Sequence, residues 1–226
     1  MAQESTPRAI LFDALGTLLT FEPPAPHLRA ALLERTGTDI GDAGAKAAIR
    51  AEIAYYRAHM HEGTGPEALR ALRMRCAEAM RLPFGVEVVL DALMASLRFH
   101  AFQDSAPALR ALRERGIRTV VVSNWDWSLH ERLHETGLAG LVDGALASAE
   151  IGSAKPDGAI FAAALRLAGT SPGETWHVGD TPEADVAGAR AAGIRPVLIA
   201  RDEKPAPLDG IATVRSLCEL IPLLTT

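Results

Sequence analysis

The chain has 226 residues, of which 48% are apolar, and its 23 basic and 28 acidic side chains give a formal net charge of −5. This length and apolar content suit one large α/β domain, or a core domain with a modest insert, and exclude an intrinsically disordered chain. The sequence contains no basic block and no apolar run long enough to span a bilayer, which argues against nucleic-acid and membrane partners.

The first predicted elements are a strand and a long helical segment. Apolar residues at Ala9–Phe12 predict a buried strand that stops at Asp13. Between residues 19 and 97 we predict no strand, and residues 23–26 are interpreted as a linker into this segment. The pattern there predicts an all-helical insert, because apolar side chains recur at helical spacing along three stripes. The stripes are Ile49, Ile53, Tyr56 and Met60, then Leu69, Leu72, Cys76 and Met80, and then Leu90, Leu93 and Leu97.

Three further apolar runs, at residues 119–122, 175–178 and 196–199, predict strands of the same sheet. None of them alternates with polar residues, as is typical of parallel strands that are covered on both faces. Helical segments with clear capping signals separate the runs, and this alternation predicts a doubly wound, Rossmann-like α/β core. We therefore divide the chain into an α/β core domain at residues 1–18 and 98–226 and a helical cap domain at residues 19–97.

Polar side chains stand where three of the predicted strands end, namely Asp13, Ser123 and, after Gly179, Asp180. Ligands bind an open parallel sheet at the carboxyl ends of its strands, near the point where the strand order reverses. Each of these residues alone is more often a helix cap, but their joint occurrence predicts that they converge on one site. His177, inside the run at residues 175–178, is interpreted as a packed strand residue.

Four motifs resemble those of the haloacid dehalogenase-like hydrolase superfamily, in the order and with the spacing of that family. They are residues 10–18 around Asp13, residues 121–124 with Ser123 and Asn124, Lys155-Pro156-Asp157, and residues 177–185 with Asp180 and Asp185. The resemblance covers nearly the whole chain and extends to subfamily I, in which a helical cap follows the first motif. It implies a hydrolase with the architecture predicted above.

The resemblance implies a nucleophile and a metal site. Asp13 is expected to attack the substrate and form a covalent intermediate that water hydrolyses. A Mg²⁺ ion is expected to neutralise a phosphate substrate, with Asp13, Asp180 and the backbone carbonyl of Leu15 as its ligands. Asp185 is expected to bind the ion through water or to orient Asp180.

Four further residues are expected to bind a phosphate group or the nucleophile. Ser123 and the amide of Asn124 would hold phosphate oxygens. Lys155 would place a positive charge on the phosphoryl oxygens and on Asp13. Thr17 is expected to lie in a turn and to hydrogen-bond Asp13. The predicted catalytic group is thus Asp13, Ser123 and Lys155.

Position 15 departs from the pattern of the phosphatases in this family. Those enzymes carry a second aspartate two residues after the nucleophile, which protonates the leaving group and activates water, whereas this chain has Leu15. Loss of a general acid typically lowers the rate by about 10²–10⁴-fold when the leaving group is poor. We therefore expect aryl or acyl phosphates to be better substrates than alkyl phosphates.

Leu15 also leaves two alternatives open. The 2-haloacid dehalogenases of the superfamily lack the same acid and need no metal, but they also lack paired acids like Asp180 and Asp185. Without a cation, these carboxylates would repel an anionic haloacid, so a phosphatase is favoured. The other alternative is a chain that has lost catalysis and serves in binding or regulation. A nicotinamide-binding protein is disfavoured, because no Gly-x-Gly-x-x-Gly follows the first strand.

Cysteine usage and the amino-terminal residues favour the cytoplasm. Cys76 and Cys218 lie far apart in no metal-binding spacing, which is typical of a reducing compartment, and the polar first residues do not form a signal peptide. The expected partner is a small phosphorylated molecule. Its identity and the oligomeric state stay open.

Overall fold

The computed structural model describes residues 6–201 and 208–224. Within these residues the main sheet has six parallel strands, in the order β5-β4-β1-β6-β7-β8, and a second sheet pairs β2 with β3. In chain order the strands are β1 (Ala9–Phe12), β2 (Leu19–Phe21), β3 (Phe99–Ala101), β4 (Arg118–Ser123), β5 (Gly144–Ala147), β6 (Thr175–Gly179), β7 (Arg195–Ile199) and β8 (Ala212–Val214).

Helices connect most of these strands, and their ends follow local sequence rules. They are α1 (Pro24–Thr36), α2 (Gly41–His59), α3 (Pro66–Ala79), α4 (Val86–Ser96), α5 (Ser105–Glu114), α6 (Leu129–Glu135), α7 (Ser148–Ile151), α8 (Gly158–Ala168), α9 (Gly188–Ala191) and α10 (Leu220–Leu223). A π-helical segment, Pro182–Ala187, leads into α9. Helix α8 begins where the Asp157 carboxylate accepts the N–H of Ala159 at 2.8 Å, and it ends at Gly169, whose φ is 66°.

Strand β1 is buried on both of its faces. Ile10, Leu11 and Phe12 are fully buried, although successive side chains of a strand point to opposite faces. Leu11 belongs to an apolar cluster that includes Phe161 of α8 and Ala189 of α9. Coverage of both faces explains the lack of polar alternation in the sequence, and the parallel sheet confirms the predicted α/β class.

The segment that is predicted to contain no strand begins with one. Residues Leu19–Phe21 form β2, and three residues are too few for their periodicity to reveal a strand. The predicted linker at residues 23–26 is also wrong, because α1 begins at Pro24. Proline fits the first turn of a helix, where its missing N–H removes no helical hydrogen bond.

The chain folds as two compact units, each with its own apolar core. The described residues of the first lie within Met1–Thr20, Ala101–Trp125 and Leu129–Thr226, and they include the main sheet. Those of the second, the helical unit, lie within Phe21–His100 and Asp126–Ser128, and apolar side chains of α1 to α4 form its core. Among the described residues, no helix combines the length and the hydropathy needed to cross a membrane.

The helical unit buries a cluster of ionisable side chains. The carboxyl of Glu52 in α2 is buried beside the Cys76 thiol of α3, and burial raises the pKa of Glu52 to about 7 and that of Cys76 to about 12. The Tyr56 hydroxyl donates to Asp126 Oδ2 at 3.0 Å, and the Trp127 N–H donates to the Gly63 carbonyl at 2.8 Å. These two bonds explain why residues 126–128 group with the helices.

Glu52 makes the stability of the chain depend on pH. The folded chain keeps the Glu52 proton up to about pH 7, whereas the unfolded chain releases it near the ordinary pKa of 4.5. The free energy of unfolding is therefore expected to fall as the pH rises from 4.5 to 7, by roughly 2–3 kcal/mol, and to level off above that range. Urea unfolding at pH 5 and pH 8 measures this loss, and Glu52→Gln is expected to remove most of it.

The matched control for this prediction is Glu78→Gln, which alters an exposed carboxyl of α3. It is expected to keep the pH dependence of the parent chain. An unchanged pH dependence in Glu52→Gln would show that another group is responsible.

Candidate active site

Asp13 lies immediately after β1 and is nearly buried. Its backbone N–H donates to the Val178 carbonyl at 2.9 Å, which extends the pairing of β1 with β6 by one residue. Its carboxylate Oδ1 accepts the Ser123 hydroxyl at 2.9 Å and the Lys155 ammonium at 2.6 Å. Both donors bind the same oxygen, which leaves Oδ2 of Asp13 for another partner.

Lys155 lies between two carboxylates. Its Nζ donates to Asp13 Oδ1 at 2.6 Å and to Asp185 Oδ1 at 2.5 Å, and its side chain is only 2% exposed. Burial alone would lower the pKa of Lys155, but the negative charges of Asp13 and Asp185 outweigh that effect and raise it. Lys155 is therefore charged at neutral pH, and it offsets part of the negative charge of the site.

The side chain of Asn124 fixes the backbone at Lys155. Its Oδ1 accepts the Lys155 N–H at 2.7 Å, and its Nδ2 donates to the Lys155 carbonyl at 2.9 Å. The residue after Ser123 thus ties the end of β4 to the loop that carries the lysine. Two hydrogen bonds to one residue restrict both the position and the direction of that loop.

Asp185 accepts hydrogen bonds on both carboxylate oxygens. Oδ1 accepts from Lys155 and from His177 Nε2 at 2.9 Å, and Oδ2 accepts the Thr181 N–H at 3.0 Å. Burial would raise the pKa of Asp185, but the hydrogen bond from His177 and the charge of Lys155 lower it well below its usual range. Asp185 is therefore a carboxylate at all physiological pH values.

Asp180 completes a group of three carboxylates. One oxygen from each of Asp13, Asp180 and Asp185 lies within 4.8 Å of the others. Although Asp180 is largely exposed, partial desolvation of its carboxyl and the negative charges of Asp13 and Asp185 raise its pKa to about 6. Three carboxylates this close, which share the charge of Lys155 within the described part of the chain, provide the oxygen ligands that a hard divalent cation prefers.

Two glycines allow these carboxylates to approach the backbone. A Cβ at Gly16 would lie 2.1 Å from Asp180 Oδ2, and the φ of Gly16 is 84°, which favours glycine. A Cβ at Gly179 would lie 2.1 Å from Asp185 Cγ. The lack of a side chain at Gly16 therefore lets Asp180 approach the loop after β1, and its lack at Gly179 lets Asp185 pack against the end of β6.

The structure brings together most of the predicted site residues. Asp13, Ser123, Lys155 and Asp185 are joined by hydrogen bonds, and Asp180 lies beside them.

Leu15 and Thr17 are predicted site residues in the loop after β1. Leu15 is 38% exposed, as a residue beside an open site can be. The predicted bond from Thr17 to Asp13 is wrong, because within residues 6–201 and 208–224 the buried Thr17 hydroxyl has no hydrogen-bond partner. The acceptor capacity of Asp13 Oδ1 is used by Ser123 and Lys155 instead.

Two contacts of the site have no counterpart in the predictions. His177 is buried, as predicted for a packed strand residue, but it also donates to Asp185. Arg201 donates to the backbone carbonyls of Gly16 and Thr17 in the loop after β1. A buried histidine in an apolar strand was the one available sequence signal, whereas nothing near Arg201 distinguishes it from a surface arginine.

Comparison with known proteins identifies the family. A family model of haloacid dehalogenase-like hydrolases matches residues 7–193. Haloacid dehalogenase-like hydrolase domain-containing protein 3 of Bos taurus is 37% identical over 131 residues, which span 56% of this chain and about half, 52%, of that protein. The Mus musculus protein of the same name is 29% identical over 99% of this chain and 96% of its own length. Phosphoserine phosphatase of Thermus thermophilus is 35% identical over 62% of this chain and 57% of that protein.

Solved structures share the fold along the whole chain. A HAD phosphatase from Thermococcus onnurineus is 25% identical, covers 96% of this chain and 97% of its own, and has a TM-score of 0.68. A dehalogenase is 23% identical, covers 98% of this chain and 99% of its own, and has a TM-score of 0.70, a likeness that shows the fold alone. Because the family model spans most of its length, the chain belongs to the haloacid dehalogenase-like hydrolases and is a hydrolase.

Proposed function

We propose that the chain is a Mg²⁺-dependent, phosphatase-type hydrolase of a small phosphorylated metabolite, with Asp13 as the nucleophile. The observation that carries the proposal is the group of three carboxylates within 4.8 Å, two of which bind the ammonium of Lys155. This arrangement suits an anionic substrate only if a further positive charge joins it.

The residues present fit a Mg²⁺ ion. The proposed ligands are carboxylate oxygens of Asp13 and Asp180 and the backbone carbonyl of Leu15, with Asp185 binding through water or orienting Asp180. These are hard oxygen donors, which Mg²⁺ prefers to nitrogen or sulfur. When bound, the ion would neutralise phosphate charge and stabilise the charge that develops during transfer.

Asp13 is placed to act as the nucleophile. Ser123 and Lys155 both donate to its Oδ1 and hold the side chain in one orientation, in which the carboxylate is proposed to attack phosphorus. The attack forms an aspartyl phosphate on Asp13 and breaks the bond from phosphorus to the leaving group, which departs as an anion such as a phenolate or a carboxylate. Water then hydrolyses the acyl phosphate and regenerates the carboxylate.

The proposed binding groups for the phosphate oxygens are Lys155, Ser123 and the backbone amide of Asn124. Lys155 is a buried cation whose position Asn124 fixes, so it needs little reorganisation when the substrate arrives. Ser123 already contacts the nucleophile. Thr17 is a weaker candidate, because its hydroxyl is fully buried.

The substrate class follows from relatives and from position 15. Relatives of this chain are named as phosphatases of phosphoserine and of ribulose-1,5-bisphosphate, which supports a small phosphorylated metabolite. Leu15 offers no proton to the leaving group, which favours aryl and acyl phosphates over alkyl phosphates. We also propose that residues 19–97 form the cap domain that selects the substrate and that the protein acts in the cytoplasm.

A 2-haloacid dehalogenase is the second candidate. Leu15 favours it, because a halide leaving group needs no proton. The three carboxylates argue against it, because they call for a cation that a dehalogenase does not use. The two functions differ in their requirement for metal, so one set of assays separates them.

A panel of phosphates and 2-haloacids, each assayed with Mg²⁺ and with a chelator, tests the proposal. We expect phosphate release that requires Mg²⁺, that is fastest with p-nitrophenyl phosphate and acetyl phosphate, and that returns when excess Mg²⁺ is added to the chelated enzyme. Release of halide from a 2-haloacid in the presence of the chelator would instead establish the dehalogenase.

A further inference from the structure

His177 is an unusual residue for the middle of a buried parallel strand. It lies in β6, is fully buried, and pairs in register with Leu11 of β1. The other side chains at residues 175–178 of β6, those of Thr175, Trp176 and Val178, are also buried, and His177 hydrogen-bonds Asp185. An apolar side chain would fill this position without burying a polar ring.

One nitrogen of the imidazole has a defined partner. Nε2 lies 2.9 Å from Asp185 Oδ1, whereas Nδ1 has no hydrogen-bond partner within the described part of the chain. The ring of Phe161 contacts the imidazole edge-on, with 5.2 Å between the ring centroids. Packing therefore fixes the ring plane, and the ring donates one hydrogen bond, to Asp185, within the described residues.

This donation decides which oxygen of Asp185 is available. Oδ1 already accepts from both His177 and Lys155, while among the described residues Oδ2 accepts only the N–H of Thr181. A carboxylate oxygen has about two acceptor sites, so Oδ2 is the oxygen with capacity for a water or a cation. Without His177, only Lys155 and the Thr181 N–H among the described residues would hold the Asp185 carboxylate, whose last torsion is broad for aspartate.

We infer that His177 is a positioning residue, which orients Asp185 and, through it, Lys155 for the metal-binding and phosphate-binding roles of the site. The expected effect on Mg²⁺ binding rests on the proposed function, whereas the orientation of Asp185 rests on the hydrogen bond from His177. His177 is expected to touch neither the substrate nor the ion. It belongs to the outer hydrogen-bonding partners that hold a ligand in place, whose loss commonly weakens metal binding.

The test compares His177→Leu, which removes the donor, with His177→Gln, whose amide keeps one. Mg²⁺ binding is measured by isothermal titration calorimetry on the purified full chain. We expect His177→Leu to raise the Mg²⁺ dissociation constant by roughly 10-fold or more and His177→Gln to restore most of the affinity. In an Asp185→Asn background, His177→Leu is expected to cause little further loss, because the partner through which it acts is changed.

Val120→Ala controls for a general loss of stability, because Val120 is a fully buried residue of β4 outside the site. It is expected to lower the unfolding temperature while leaving Mg²⁺ affinity unchanged. If His177→Leu binds Mg²⁺ as the parent chain does, or if His177→Gln loses as much affinity as His177→Leu, the inference is overturned.

An NMR measurement separates this inference from the proposed function. In the ¹⁵N-labelled chain we expect a slowly exchanging Nε2 proton on His177, whose resonance shifts in Asp185→Asn. A parent chain that binds no Mg²⁺ would contradict the proposed function. In that case the NMR result still tests whether His177 holds Asp185. An Nε2 resonance that does not respond to Asp185→Asn would overturn it.

Discussion

Asp13→Asn is expected to abolish turnover while leaving the fold intact. The amide cannot attack phosphorus as an anion, and it removes one carboxylate from the proposed metal site. Loss of the nucleophile should therefore lower kcat/KM by on the order of 10⁴-fold or more. The measurement is Mg²⁺-dependent release of p-nitrophenol from p-nitrophenyl phosphate, with thermal unfolding as the check of folding.

Asp42→Asn is the matched control for this variant. Asp42 is an exposed carboxylate in α2 that pairs with Lys46, so the same chemical change there is expected to leave activity near that of the parent chain. Residual activity of Asp13→Asn within 10-fold of the parent, a margin of about 1.4 kcal/mol in activation free energy, would exclude Asp13 as the nucleophile.

Leu15→Asp is expected to create activity towards alkyl phosphates. The new carboxyl would stand two residues after the nucleophile, at a position that is 38% exposed and tolerates a polar side chain. As a general acid it should raise kcat for alkyl phosphates by about 10²–10⁴-fold. Acyl phosphates, whose leaving groups need no proton, should gain much less.

The control for this variant is Leu15→Asn, because asparagine is close to aspartate in size and shape but cannot transfer a proton. It is expected to behave like the parent chain towards both classes of phosphate. A folded Leu15→Asp protein with unchanged alkyl phosphatase activity would mean that the missing acid is not what limits the reaction.

The strands of the main sheet that carry the site could be predicted because they are apolar throughout. Residues 9–12, 119–122, 175–178 and 196–199 fall within β1, β4, β6 and β7. Strand β5 contains Gly144, Ala145 and Ala147, whose small side chains give little signal, and β8 has only three residues. Helix α1 was obscured by its prolines, which suit a first turn and also a linker.

The site was predictable where residues follow strands, because parallel strands end at one edge. That rule placed Asp13, Ser123 and Asp180 together, while Lys155 required the resemblance to known motifs. That the Thr17 hydroxyl has no hydrogen-bond partner within the described residues was not predictable, since the direction of a side chain in a turn depends on packing. The contact of His177 with Asp185 joins the inside of a strand to the following helix, and the spacing of residues alone does not reveal it.

Anomalous diffraction from a crystal soaked in Mn²⁺, a close substitute for Mg²⁺ at oxygen ligands, tests the account most directly. We predict one strong peak bonded to carboxylate oxygens of Asp13 and Asp180 and to the Leu15 carbonyl, and its loss in Asp180→Asn. A crystal with no Mn²⁺ at these residues, at a concentration that supports turnover, would contradict the metal-dependent site.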